Sequence, residues 1–74
     1  MADLAAESIE IFLNGEPRCV PNGVTIADLL THLAIDETRI AVEVDRQIVR
    51  KRDWPSTSVA NGAQVEVVQF VGGG

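Results

Sequence analysis

Hydrophobic and polar positions alternate in the first part of the chain. Every second residue from 9 to 13 is apolar, which is the period of a strand with one buried face. The pattern predicts a strand over residues 8–13. The dipeptide Asn14-Gly15 follows directly and tolerates the positive φ of a tight turn, so a short second strand is expected over residues 17–20.

A helical period follows this hairpin. Four apolar residues fall at i, i+3, i+4 and i+7 and therefore form one stripe of a helix: Ile26, Leu29, Leu30 and Leu33. Thr25 stands at the N-cap position, and Asp28 lies near the positive end of the helix dipole. Val24 and Leu29 have the spacing of a hydrophobic staple. The pattern predicts one amphipathic helix that covers a sheet.

Three further stretches are typical of strands: residues 40–44, 47–49 and 65–71. Residues 50–60 between them show no clean period, and the Trp54-Pro55 dipeptide disfavours a helix there. We therefore predict a crossing loop anchored by Trp54. The element order, with one helical stripe to bury, indicates a two-layer α+β domain. Residues 1–8 are interpreted as an N-terminal extension, residues 9–71 as the domain, and residues 72–74 as a flexible glycine tail.

The sheet face opposite the helix is expected to be open. If Val65 and Val67 point at the helix, alternation places Val68 and Phe70 on the outer face, and Phe12 follows by the same rule. An exposed apolar patch is typical of a partner site. We therefore predict that these three residues bind a partner, although scattered surface residues would show the same pattern.

The terminal glycines Gly72, Gly73 and Gly74 have no packing role. Glycine loses more conformational freedom on ordering than any other residue, so stability does not explain three in a row. Three extended residues reach about 10 Å and, without a Cβ, can pass through a narrow channel. The sequence thus indicates a slender probe with a carboxylate at its tip; a plain disordered terminus is the alternative.

Charge and cysteine content narrow the function classes. The 74 residues carry a net charge of −5, which argues against nucleic acid as a partner and favours a basic protein surface. A single cysteine forms no internal disulfide, and no signal peptide or membrane-spanning run is apparent, so we expect a cytoplasmic protein that does not bind membranes.

Few side chains suggest catalysis. Cys19 is interpreted as a small buried hydrophobe rather than a nucleophile, and His32 as a solvated residue on the polar side of the helix. No metal site is expected. The basic run Arg50-Lys51-Arg52 fits contact with a partner's acidic groups or a nucleotide phosphate as well as it fits an exposed loop.

These features together resemble the thiamine-biosynthesis sulfur carrier proteins, which have the ubiquitin-like β-grasp fold. The resemblance covers about residues 9–74 and rests on several segments in order: Leu13-Asn14-Gly15, residues 25–30, residues 41–44, Ile48-Val49 with Arg52 and Trp54, and residues 65–68 leading to Gly73-Gly74. It implies a mixed sheet of four to five strands with one main helix across one face.

The resemblance also implies a function. The carboxylate of Gly74 would be adenylated by a ubiquitin-activating-type enzyme that consumes ATP and then converted to a thiocarboxylate. A sulfur donor such as a cysteine desulfurase would supply the sulfur, and a thiazole synthase would receive it for the thiazole ring of thiamine. The chain would bind no cofactor and would be a co-substrate, not an enzyme. The small subunit of molybdopterin synthase, or a ubiquitin-like modifier or interaction module, remain alternatives.

Overall fold

The computed structural model describes residues 8–70. Its elements, in chain order, are β1 (Ser8–Leu13), β2 (Glu16–Pro21), α1 (Ile26–His32), β3 (Ile40–Val44), β4 (Gln47–Val49), a 3₁₀ helix (Lys51–Ser56) and β5 (Gln64–Gln69). All five predicted strands and the predicted helix are present, with ends that differ by at most two residues from the predicted ones. The first strand includes Ser8, which belongs both to the predicted strand and to the predicted extension; residues 1–7 of that extension lie outside the described residues.

The five strands form one mixed sheet in the order β2-β1-β5-β3-β4. β1 and β5 pair in parallel, and the other three neighbouring strand pairs are antiparallel. The last strand of the chain therefore lies in the middle of the sheet, between the first strand and the third. This arrangement confirms the α+β expectation and places the middle of β5 beside the turn that follows β1.

Both two-residue hairpin turns have positive φ at both positions. Asn14 and Gly15 have φ of 50° and 85°, and Asp45 and Arg46 have φ of 51° and 71°. Turns of this kind match the right-handed twist of the strands that they join. The hairpin predicted from Asn14-Gly15 is confirmed.

Helix α1 is capped at both ends. The Thr25 side chain accepts a hydrogen bond from the backbone N–H of Asp28 at 3.1 Å, as the sequence predicted. At the other end the backbone N–H groups of Ala34 and Ile35 donate to the carbonyls of Thr31 and Leu30, at 3.0 and 2.9 Å. This is the Schellman pattern, with Ala34 at φ 56° in the position that glycine usually takes.

The core lies between α1 and the inner sheet face. Its fully buried large side chains come from the helix and from the sheet: Ile11, Ile26, Leu29, Leu30, Val42 and Val65. Three members of the predicted helical stripe are therefore buried, and Leu33 packs against them at the margin. Within residues 8–70, none of the helices has the length and apolar character needed to cross a membrane.

Residues 51–56 form a 3₁₀ helix, so the prediction of an irregular loop there was wrong. Proline was taken to disfavour a helix, but its fixed φ is compatible with a short 3₁₀ turn, and Asp53 donates its N–H to the Arg50 carbonyl at 2.8 Å. The predicted anchor is confirmed, because Trp54 is buried and its indole Nε1 donates to the Val49 carbonyl at 2.9 Å.

Candidate functional site

The last four described residues, Val67 to Phe70, form what we call the tail root. One side of the tail root is paired with β3, where Val68 lies opposite Ala41 and Gln69 opposite Ile40. Phe70 lies beyond the strand, yet its N–H still donates to the Arg39 carbonyl at 2.7 Å. The antiparallel ladder thus continues to the last described residue.

The other side of the tail root is held by one residue of the β1–β2 turn. The backbone N–H of Asn14 donates to the Val65 carbonyl at 2.8 Å. Its side chain then reaches two residues further, where Oδ1 accepts from the Val67 N–H at 2.9 Å and Nδ2 lies 3.4 Å from the Val67 carbonyl. The sequence predicted only the turn geometry of Asn14, because the Val67 partner lies 53 residues away in the chain.

Two of the three predicted partner-binding residues lie together on the outer face. Val68 is 52% exposed and Phe70 is 56% exposed, and both belong to the tail root. Phe12 is only half-buried and lies opposite Gln64, four residues from Val68 along β5, or about 13 Å at about 3.3 Å per residue. The structure therefore brings Val68 and Phe70 together and leaves Phe12 apart.

Sequence reasoning did not select Ile48, the most exposed large hydrophobic residue among residues 8–70. Ile48 in β4 is 71% exposed and lies opposite Glu43 on the outer face. The signal was present, because Val49 packs against the core and alternation then turns Ile48 outward. β4 has only three residues, however, and so short a run gives little weight to an alternation argument.

The outer face is acidic as well as apolar. Glu43 and Glu66 lie directly opposite each other across β3 and β5, and Glu10 projects from β1 on the same side. Among the described strands, register and alternation place no lysine or arginine on this face. A partner surface that combines apolar and basic residues would be complementary to it.

A groove of about 320 Å³ opens on the helix side of the tail root. It is lined by Asn14, Ile35, Asp36, Ile40, Val67 and Gln69. The pKa of Asp36 is lowered, chiefly because its carboxylate accepts hydrogen bonds from the backbone N–H and the hydroxyl of Thr38, with a smaller contribution from Lys51. The groove therefore carries a negative charge at neutral pH.

A model of the ThiS family matches residues 11–74 of this sequence, which is most of the chain and includes the three terminal glycines. The chain belongs to the ThiS family. This confirms the resemblance seen in the sequence.

Solved structures and curated relatives agree with this membership. The crystal structure of the thiamine biosynthesis protein ThiS from Geobacter metallireducens has a TM-score of 0.79 and 26% identity, over 89% of this chain and 100% of that one. This confirms the β-grasp fold. An uncharacterised protein, ycf40, from Porphyra purpurea is 32% identical over 92% of this chain and 96% of its own length.

A second kind of relative is much longer. The thiazole synthase of Paramagnetospirillum magneticum is 35% identical over 89% of this chain, but the match spans only 20% of that protein. The thiazole synthase of Magnetococcus marinus gives the same identity and the same shares. The ThiS-family chain thus spans about a fifth of the length of these curated relatives.

The basic run of this ThiS-family chain lies on and beside the 3₁₀ helix. Arg50, Lys51 and Arg52 are all exposed. Lys51 Nζ lies 6.0 Å from the centroid of the Trp54 ring, and Arg52 lies 3.7 Å from the Asp53 carboxylate. An ion pair this exposed contributes about 0–1 kcal/mol, so the pair between Arg52 and Asp53 adds little stability.

Cys19 is exposed, so the expectation that it is buried was wrong. It lies in β2, which is an edge strand, and opposite Glu10 on the outer face, where the helix covers nothing. His32 is exposed in the last turn of α1, as predicted. Over residues 8–70, no three side chains of the metal-binding types come together. The tail residues Gly72, Gly73 and Gly74 lie outside the described residues.

Proposed function

We propose that this chain is a sulfur carrier that supplies sulfur for the thiazole ring of thiamine. In the first step the Gly74 carboxylate attacks the α-phosphate of ATP, which releases pyrophosphate and forms an acyl adenylate. Sulfur delivered by the donor at the level of hydrosulfide then attacks the acyl carbon, the bond to AMP breaks, and a thiocarboxylate remains. Adenylation is needed because a carboxylate is a poor electrophile, whereas AMP is a good leaving group.

One observation carries this proposal. The family match extends through the terminal glycines to residue 74, so the segment that would do the chemistry is part of what the family shares. The similarity to a fifth of two proteins named thiazole synthase supports a thiazole synthase as the sulfur acceptor. The activating enzyme and the sulfur donor are proposed from the chemistry, and ATP would be consumed by the activating enzyme.

The exposed residues of the tail root support a docking surface at this end of the sheet. Val68 and Phe70 are exposed at the tail root, and Glu66 adds a charge beside them. Ordering a glycine tail inside an enzyme costs conformational entropy, about 1–2 kcal/mol per residue, which contacts elsewhere must offset. A docking face immediately before the tail supplies such contacts. We propose that the activating enzyme binds this face.

The proposal is tested by the intact mass of the protein after incubation with ATP, a sulfur donor and the activating enzyme. Exchange of one oxygen for sulfur is the expected result. Attachment to lysine side chains would instead indicate a protein modifier, and an unchanged mass would contradict the carrier role. A thiocarboxylate consumed by molybdopterin synthase, but not by thiazole synthase, would contradict the thiamine assignment.

Variants of the tail localise the chemistry. Deletion of Gly74, or replacement of Gly73 by a bulky residue, should abolish adenylation while the circular dichroism spectrum stays that of the wild type, because glycine has no side chain that the domain could lose from its core. A chain with an amidated C-terminus is the matched control, since it keeps every residue and lacks only the carboxylate. Adenylation of the amidated chain at the wild-type rate would place the chemistry elsewhere.

A further inference from the structure

We propose that Asn14 is a positioning residue for the C-terminal tail, an inference that rests on the proposed function. β1 ends at Leu13, so β5 has no backbone partner from β1 beyond that point. The Asn14 side chain takes the place of the missing strand and pairs with Val67. Among the described residues, this pairing provides the last hydrogen bonds on this side of β5.

The geometry of the contact fits the two ends of an amide. The carbonyl Oδ1 faces the Val67 N–H and the amino Nδ2 faces the Val67 carbonyl, so the side chain matches the donor and acceptor of a backbone peptide. If the amide were rotated by about 180°, Nδ2 would face the Val67 N–H and Oδ1 would face the Val67 carbonyl. Donor would then oppose donor, and acceptor would oppose acceptor. An aspartate at this position would keep the first contact and lose the second.

The contact matters because the tail begins just beyond it. Hydrogen-bonded pairs alternate along the β3–β5 ladder, and Phe70 pairs with Arg39, so Gln69 turns its backbone groups away from β3 toward the side where β1 has ended. Without Asn14, the residues from Val67 onward would be held from one side only. The tail would then leave the sheet in a wider range of directions, and an enzyme that threads it would have to remove that freedom.

The hairpin between β3 and β4 provides a matched control for Asn14. Asp45, like Asn14, is the first residue of a two-residue turn with φ near 50°. Its N–H donates to the Gln64 carbonyl at 2.8 Å, and its Oδ1 accepts from the Gln64 N–H at 3.0 Å. Asp45 therefore holds the start of β5 as Asn14 holds its end. Glycine at either position permits the turn and removes only the side-chain contact.

The experiment compares the full-length chains Asn14→Gly and Asp45→Gly with the wild type in ATP–pyrophosphate exchange catalysed by the activating enzyme. We expect Asn14→Gly to raise KM by about 2- to 10-fold, the worth of one hydrogen bond, with kcat nearly unchanged. Asp45→Gly should keep the wild-type KM. Equal changes in the two variants, or no change in either, would overturn the positioning role.

Amide hydrogen exchange tests the contact without any enzyme. In Asn14→Gly the Val67 amide should exchange faster than in Asp45→Gly, and Asn14→Asp, which keeps an acceptor for that N–H, should exchange more slowly than Asn14→Gly. An unchanged Val67 exchange rate in Asn14→Gly would show that the Asn14 side chain does not protect the Val67 N–H. If the wild-type chain is never adenylated, the proposed function fails and the positioning role fails with it, whereas normal adenylation with an unaltered KM in Asn14→Gly refutes only this inference.

Discussion

Glu43 and Glu66 face each other across the antiparallel pair β3 and β5, on the open side of the sheet. Directly opposed like charges destabilise a sheet, and a cross-strand pair of this kind changes stability by about 0.2–1 kcal/mol. Neither carboxylate has a basic neighbour on this face within the described strands. We interpret the pair as a local cost to stability that binding of a basic partner would relieve.

Replacing Glu66 by Gln should therefore stabilise the isolated domain, because it removes the repulsion and keeps the shape of the side chain. We expect the free energy of unfolding to rise by about 0.2–1 kcal/mol in urea denaturation, and the gain to shrink at high salt. Glu10→Gln is the control, since Glu10 lies opposite Cys19 and not opposite a charge. Equal effects of the two substitutions would contradict the pairwise explanation.

The same substitution should weaken association with the activating enzyme. Loss of a charge at the rim of a docking surface mainly lowers the association rate constant and reduces its dependence on salt. Stopped-flow measurements at two or more ionic strengths would show this. An association rate equal to that of the wild type at low salt would mean that the acidic face does not meet the enzyme.

Phe70 is predicted to be an anchor of the docking surface. The substitution Phe70→Glu should lower affinity for the activating enzyme by about tenfold or more, which is the usual effect of losing a central aromatic contact. Ile48→Glu is the comparison, because Ile48 is exposed on the same face but lies in β4, two strands from β5. Calorimetric titration with the activating enzyme measures the affinity of both variants. An unchanged affinity of Phe70→Glu would show that Phe70 is not part of the interface.

Ala34 is a site where the domain can be stabilised. Its φ of 56° is costly for a residue with a Cβ and free of cost for glycine. We expect Ala34→Gly to raise the free energy of unfolding by about 0.5–1 kcal/mol, after allowance for the greater freedom of glycine in the unfolded chain. Ala27→Gly, inside α1, should have the opposite sign, with a loss of about 0.5–1 kcal/mol. Destabilisation by both changes would contradict the strain at Ala34.

The carboxyl of Asp36 should titrate below its ordinary pKa of 3.8, because Thr38 donates to its charged form through both the backbone N–H and the hydroxyl. Its contribution to stability is thus complete above pH 3.8 and is lost as the pH falls through the lowered pKa. In Thr38→Val, which keeps only the backbone donor, the pKa should rise part of the way back. Carboxyl carbon NMR titration measures both values, and identical pKa values in the two chains would rule out the hydroxyl contact.

Local sequence patterns were sufficient to predict the strands and α1. The alternation of residues 9–13 predicted β1, the Thr25 cap fixed the start of α1, and Asn14-Gly15 gave the hairpin, because each of these depends on residues a few positions apart. The 3₁₀ helix was missed because the proline rule was applied to α-helices, and the same φ suits a tighter turn.

The candidate site depended more on tertiary structure. Alternation correctly turned Val68 and Phe70 outward, yet it could not say that Phe12 lies several residues away from them, because separation on a sheet depends on strand order and register. Ile48 was overlooked because β4 has only three residues, too few to establish an alternation. Cys19 was misplaced because exposure of a strand residue depends on whether its strand is at an edge and whether a helix covers it.

The sequence by itself determined the class of the domain, the positions of its strands and of α1, and the glycine end that suggests its chemistry, since these depend on spacing along the chain. Only the tertiary structure decided that the first turn and the last strand meet, so that Asn14 pairs with Val67, and that Glu43 lies opposite Glu66. Contacts between residues that are distant in the chain arise from the packing of the sheet as a whole, and no local pattern encodes them.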